Sequence, residues 1–343
     1  MDGKENSSAF FNGGEVTPNM TFELSSNYRP SVLLKNGHFN TIYTSILKKQ
    51  PLTRSREKRD TSDGDFYYAD WIRGDNRRLA IALHGLEGSS DSNYIIRISN
   101  LLAERNWDVC GLNFRSCLGP MNKTQTLYHS GFTFDLHELI EAEADNYDEI
   151  FLIGYSLGGN VVMKYLGDGE HKLSGKLKGG VGISVPCDLA GCSDKLTKWY
   201  NRLYDKQFLH SLMIKMKAKA SDYPLIASAL ANASVKTLKD FDNHFTGPLH
   251  GFKDAADYYA QSSCLQYLDR ISLPSIIISS LDDPLLSDSC YPIDTAQHNP
   301  NFNLITTRHG GHVGFARFGS NYYWIDYQIE GFLESHSIVG EIV

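Results

Sequence analysis

The chain holds 343 residues, 41% hydrophobic and 21% charged, with a net charge of −7. These values describe a soluble globular protein, and the acidic balance speaks against a nucleic-acid partner. No run nears the roughly 18 apolar residues of a membrane span, and the length suits one large domain with an insertion, or two domains.

Residues 1 to about 30 are rich in Asn, Ser and Gly and show no period, so they are expected to be loosely ordered or wrapped on the surface. The first residues, MDGKENSSAFFNGG, have no basic stretch leading into an apolar one. No signal peptide is expected, and the cytoplasm is the default location. LTRSREKRD and DFYYADWI are candidate antiparallel edge strands.

From LAIALHG (79–85) onward, short apolar runs alternate with helical patterns. DVCGLNF (108–114), EIFLIGY (149–155), GGVGISV (179–185) and PSIIISS (274–280) read as strands buried on both faces of a parallel sheet. YIIRISNLLAERN (94–106) places Ile95, Ile98 and Leu102 on one helical face. GFTFDLHELIEAEA (131–144) does the same with Phe132, Leu136, Leu139 and Ile140. The alternation predicts a doubly wound α/β fold with right-handed crossovers.

From Cys187 to about Asp269 the rhythm breaks and no strand is visible. FLHSLMIKMKAK (208–219) carries a helical apolar face of Phe208, Leu209, Leu212, Met213 and Met216. The interval is expected to form a helical cap whose apolar residues pack onto the core or line an acyl pocket. The expected division is a loose segment 1–30, a core of 31–186 with 270–343, and a cap of 187–269. Residues 195–219 hold Lys195, Lys198, Arg202, Lys206, Lys215, Lys217 and Lys219 against Asp205. A solvated polar face is the first reading, and contact with an anionic membrane surface the second.

The six cysteines, Cys110, Cys117, Cys187, Cys192, Cys264 and Cys290, form no C-x-x-C and match no zinc framework, so reduced thiols are expected. GYSLGG (154–159) contains a G-x-S-x-G centred on Ser156, after an apolar strand and before a helical pattern. Such a turn presents a serine hydroxyl beside the positive end of a helix. Serine needs a base, and the base an orienting acid. Both are expected at the ends of later strands. PSIIISSLDDPLLSD offers Asp282 and Asp283. Asp283 is favoured, because one residue and then the aliphatic Leu285 follow it, and Asp282 is left to cap the turn or bond its backbone.

TTRHGGHVGF (306–315) offers two histidines, which could also be read as a metal pair. H-G-G-H is not on a regular helix and lacks further ligands, so no metal and no cofactor are expected. His312, beyond two glycines that bend the loop, is the expected base. His309, just past a strand, is expected to make a backbone hydrogen bond. In LHGLEGSSDSNY (83–94), Leu86 is expected to pair its N–H with that of Leu157 as an oxyanion hole, with Gly85 and Gly88 allowing close approach. His84 is expected to buttress that loop, and Glu87 to point outward or cap the next helix.

Together NGHFNTIY (36–43), LHGLEGSS (83–90), NFRSCLG (113–119), YHSGFTFDL (128–136), GYSLGGN (154–160), HGFKDAADYY (250–259), LDDPLL (281–286) and HGGHVGF (309–315) resemble the YheT-like branch of the α/β-hydrolases, related to the ABHD lipases and esterases. The resemblance runs from about Asn27 to Phe332. It implies Ser156, Asp283 and His312 as charge-relay residues, and hydrolysis of short- or medium-chain acyl esters or acylglycerols. Some relatives transfer acyl groups instead, and an acyltransferase or a non-catalytic binding protein of this fold are the alternatives. The partner is a small-molecule ester or lipid, and a monomer is the default. Two departures stand out. FRSCLG replaces a usual FRGCSG, placing Ser116 and Leu118 beside the site. The His129–Asp135 spacing is not the H-x4-D of acyltransferases, so His129 is expected to be structural.

Overall fold

The computed structural model describes residues 27–46 and 50–338, together with a short strand at Phe22–Glu23. Nine strands form one sheet: β1 (Phe22–Glu23), β2 (Ser55–Asp60), β3 (Phe66–Ile72), β4 (Arg78–Leu83), β5 (Asp108–Asn113), β6 (Glu149–Tyr155), β7 (Leu177–Ile183), β8 (Ser275–Ser280) and β9 (Phe302–Thr307). Their order is β1-β9-β8-β7-β6-β4-β5-β3-β2. All neighbours are parallel except β5–β3 and β3–β2, which puts the antiparallel strands at one edge, as the sequence suggests. The fold is the mostly parallel, doubly wound α/β-hydrolase arrangement.

Side chains alternate across each strand, so one sequence fills two layers. Leu79, Ile81, Leu83, Ile150 and Leu152 face the layer of α3 (Phe134–Glu143) and α4 (Leu157–Gly167). Ala80, Ala82, Phe151, Ile153 and Val181 face α2 (Asn93–Ala103) and the C-terminal helix Trp324–His336. Burial on both faces explains the continuous apolar runs. β7 ends at Ile183 rather than Val185, because Ser184 turns out of the strand at φ 50°.

The expectation of a loose segment over residues 1–30 is corrected at its end. β1 pairs in parallel with β9, Phe22 opposite Leu304. Tyr28 is buried, and its hydroxyl donates to the Ala316 carbonyl at 2.8 Å. Residues 1–21 and 24–26 lie outside the described residues.

Before the sheet lies α1 (Gly37–Ile46). Between β7 and β8 come α5 (Leu189–Leu196), α6 (Arg202–Lys219), α7 (Pro224–Asn232) and α8 (Leu238–Phe241), which continues as a π-helical turn, Asp242–Thr246. The later stretch, Ala255–Arg270, bridges these helices and the core: Ala255, Tyr258 and Tyr259 pack against Leu189 of α5. Cys264 and Leu268 join the layer under α4, and Asn160 of α4 donates to the Ser262 carbonyl at 2.7 Å. Strand order reverses beside β4 and β6, which places a crevice at their C-terminal ends.

Candidate active site

The loops after β4 to β9 meet at that crevice, and in five of them the backbone is unusual. Glu87, Ser116, Ser156, Ser184 and Val313 each adopt positive φ, one after each of β4, β5, β6, β7 and β9. Non-glycine residues adopt this conformation at a cost, and the surrounding packing must enforce it.

Ser156 sits between β6 and α4 at φ 53° and ψ −119°. The neighbouring glycines are required by space. A Cβ on Gly154 would lie 2.3 Å from the Gly158 carbonyl oxygen, and one on Gly158 would lie 2.5 Å from that of Leu83. Leu157 opens α4, so its N–H has no acceptor within the helix.

Asp283 and His312 arrive from the ends of β8 and β9. His312 Nδ1–H donates to Asp283 Oδ2 at 2.9 Å, which leaves Nε2 to accept from the Ser156 hydroxyl at 2.8 Å. Asp283 is 2% exposed, and its other oxygen accepts from the Leu285 N–H at 2.8 Å. The aliphatic that follows the acid thus closes a turn on it. Lys195 donates to the Asp283 and Leu286 carbonyls, and Asn201 to the Pro284 carbonyl at 2.7 Å, fixing the loop from the inserted helices.

Asp282 accepts from the Gly311 N–H at 2.9 Å, a backbone role in the histidine loop. Its second oxygen faces His309 Nδ1 at 3.3 Å, so the His309 ring pairs with a carboxylate and not with the backbone partner that the sequence suggests. The two histidines therefore serve two neighbouring aspartates.

The sequence reading missed what holds this loop. The His312 N–H donates to Thr41 Oγ1 at 2.8 Å, and Thr41 donates to the Gly37 carbonyl. Asn40 is fully buried and accepts from the Ala316 N–H at 3.1 Å. A Cβ on Gly37 would meet the Asp282 carbonyl at 2.0 Å. The stretch NGHFNTIY, 36–43, carries these residues, and nothing within it shows that they reach the histidine loop.

Leu86 lies in the loop after β4. Its neighbours' N–H groups are engaged: Gly85 donates to the Tyr94 hydroxyl at 3.0 Å and Glu87 to that of Tyr128 at 2.8 Å. His84 is fully buried, and its Nε2 accepts from the Phe114 N–H at 3.1 Å while Nδ1–H donates to the Gly85 carbonyl at 2.7 Å. Burial pushes its pKa down to about 3, so it stays neutral.

Glu87 neither points outward nor caps a helix. Its carboxylate accepts from Lys215 at 2.5 Å, from Tyr128 at 2.8 Å and from Ser211. The loop after β4 had a buried anion to satisfy, and α6 supplies the cation. Lys219 likewise donates to the Asn122 and Thr124 carbonyls. Lys195, Lys215 and Lys219 therefore leave the expected basic face.

Ser156 and His312 open into a largely apolar pocket. Leu86, Leu157, Phe208, Leu212, Met216 and Leu285 are among its lining residues. Its polar residues include His129, His250 and Asp242. His129 accepts from the Gly131 N–H and packs edge-on to His250, with ring centroids 4.7 Å apart. Asp135 instead holds Arg115, at 2.6 Å. Ser116 closes its own loop, donating to Asn122 Oδ1 at 2.6 Å. The six cysteines are free thiols, with Cys117 half-buried and the rest buried. Among the described residues, no group of three or more metal-ligating side chains is placed to hold an ion.

Asp242 accepts hydrogen bonds from Thr246 and Tyr259 at 2.6 and 2.7 Å. Burial outweighs them and pushes its pKa up to about 6. An unfolded Asp releases its proton near 3.9. Between about pH 4 and 6 the unfolded state thus binds fewer protons, and stability falls as pH rises through that window. Asp242→Asn should accordingly gain melting temperature relative to wild type as pH rises from about 4 to about 7. A difference constant over that range would count against a buried titrating carboxyl.

A family model described as the α/β hydrolase fold matches residues 81–316. YheT of Escherichia coli (strain K12) is 30% identical over 86% of this chain and 88% of its own length. The phospholipase ABHD3 of Homo sapiens is 28% identical over 85% of this chain and 74% of its own. The monoacylglycerol lipase of Saccharomyces cerevisiae is 28% identical over 73% of this chain and 57% of its own. In structure, an esterase of Pyrococcus furiosus superposes with a TM-score of 0.58 at 17% identity, covering 85% of this chain and 96% of its own. No helix among the described residues is long and apolar enough to cross a membrane. The chain belongs to the α/β-hydrolase fold family, as an esterase/lipase-type member of the branch related to YheT and the ABHD proteins.

Proposed function

We propose that the protein hydrolyses carboxylic esters through an acyl-enzyme on Ser156. The observation that carries this reading is the continuous Ser156–His312–Asp283 hydrogen-bond chain at the mouth of an apolar pocket. His312 takes the serine proton as Oγ attacks the ester carbonyl, and then returns it to the leaving alcohol. Asp283 holds the Nδ1–H tautomer and stabilises the imidazolium. The N–H groups of Leu86 and Leu157 receive the developing oxyanion. Water, activated by His312, releases the acid.

The acyl chain enters between the core and the helices from α5 through the π-helical turn, which act as a cap on this reading. That apolar lining supports short- to medium-chain acyl esters or acylglycerols, and the relatives named phospholipase and monoacylglycerol lipase point the same way.

A fluorophosphonate probe should label the protein at Ser156, and Ser156→Ala should abolish labelling. No labelling of folded protein would leave a non-catalytic binding role. Hydrolysis of a 4-nitrophenyl butyrate series in the presence of a competing alcohol tests the acceptor. Free acid is the expected product, and a dominant transester product would make the protein an acyltransferase.

A further inference from the structure

Helix α1 is amphipathic in the reverse of the usual sense. Gly37, Asn40 and Thr44 share one buried face, and the first two lie against the histidine loop. Phe39, Ile42 and Ile46, at i, i+3 and i+7, share the opposite face and are 41, 46 and 73% exposed. The polar face is turned inward because Asn40 and Thr41 bond the loop that carries His312. The apolar face is left in water.

The exposed surface continues on both sides of α1. In the turn before it, Val32 and Leu33 are 80 and 65% exposed. Phe39 stacks on Tyr43, and Tyr43 meets Phe318 edge-on at 5.0 Å. On the other side His38 stacks on Tyr204 and meets Tyr200, whose neighbour Trp199 is 82% exposed. Leu203 is 79% exposed. Isolated exposed apolar residues need no explanation, but a connected surface of this kind marks a binding site.

Charge identifies the partner. Residues 27–46, 195–204 and 315–325 contain no Asp or Glu, in a chain whose net charge is −7. Lys35, Lys198, Arg202 and Arg317 are exposed among the apolar residues. Aromatic and aliphatic side chains interleaved with cations suit the headgroup region of an anionic bilayer, where rings enter the interface and cations meet lipid phosphates.

We propose that α1, the turn before it and residues 198–203 form a docking surface for anionic lipid bilayers. This rests on the reading of the site as one that handles lipid esters. The surface borders both loops of that site: α1 holds His312 through Thr41, and Asn201 holds the Pro284 carbonyl beside Asp283. Docking there would bring the pocket to its substrate without a membrane span.

The test uses the full chain with vesicles of phosphatidylcholine, with and without phosphatidylglycerol. Co-sedimentation is expected only with the anionic vesicles, weakening with salt. Trp71 and Trp107 are 1% exposed and Trp324 is half-buried, against 82% exposure for Trp199, so most of a blue shift of tryptophan emission on binding should be lost in Trp199→Phe. Trp199→Ser/Leu203→Ser and Ile42→Ser/Ile46→Ser should each weaken vesicle partition by about ten-fold or more. Both should keep wild-type melting and wild-type turnover of a soluble 4-nitrophenyl ester. No binding to anionic vesicles, or binding that both variants leave unchanged, would overturn the proposal. So would a dimer that the same substitutions dissociate, since a second copy would then cover this face. Binding is read without turnover, so its outcome and that of the esterase reading are separate.

Discussion

His312→Ala is expected to lower kcat/KM on a soluble ester by about 10⁴-fold or more, and His309→Ala to stay within about ten-fold of wild type. The two residues share a loop, lie three positions apart and each face an aspartate, so the contrast isolates chemistry from folding. His312 Nε2 is 2.8 Å from the Ser156 hydroxyl, and no other imidazole reaches it among the hydrogen bonds of the described residues. Removing it leaves a serine that must lose its proton to water. His309 lies on Asp282, whose other oxygen is held by Gly311. Its loss relaxes the loop without removing the base. Ser156→Ala should match His312→Ala, and the double variant should be no worse than either, because members of one relay act as a unit. Equal losses in His309→Ala and His312→Ala would remove His312 from the role of base.

What the sequence made legible follows from what is local. G-x-S-x-G announces the turn at Ser156 because two glycines, a strand and a helix are all within a dozen residues. Asp283 is separable from Asp282 by the aliphatic Leu285 two residues on, and in the structure the N–H of that residue bonds the Asp283 carboxylate. His312 was separable from His309 by the glycines that bend the loop. What could not be read was carried by residues far apart in the chain. Glu87 and Lys215 are a buried pair with nothing in either local sequence to say so. Asn40 and Thr41 look like ordinary helix residues until the fold sets them beside His312. His309 was assigned to backbone because its neighbour, Asp282, belongs to another strand's loop.

Lys215→Met is the second large effect, and it falls on stability. The Glu87 and Lys215 side chains are 6 and 12% exposed and lie 2.5 Å apart. Removing one member of a buried pair typically costs about 3–5 kcal/mol, because the other charge is left without compensation. The low end is expected here, since Ser211 and Tyr128 still donate to Glu87. With an unfolding entropy of about 2.1 cal/mol/K per residue over this chain, a loss near the low end corresponds to a fall in melting temperature of roughly 4 °C. Adding Glu87→Gln should restore much of it, because the amide keeps an acceptor for Tyr128 or Ser211 and needs no cation. Urea unfolding of the two single variants and the double gives the coupling directly, and additive losses would show that the pair does not act as one. The cycle also reads out on the site. Glu87 shares its turn with Leu86, and Lys215 shares α6 with the pocket residues Leu212 and Met216. If this ion pair fixes the loop after β4 to the helix above it, Lys215→Met lowers kcat beyond its effect on the folded fraction, and the double variant recovers stability without recovering the full kcat. A neutral pair packs as well as a charged one but orients the loop less firmly, which is the difference between holding a protein together and holding two N–H groups in register with an oxyanion.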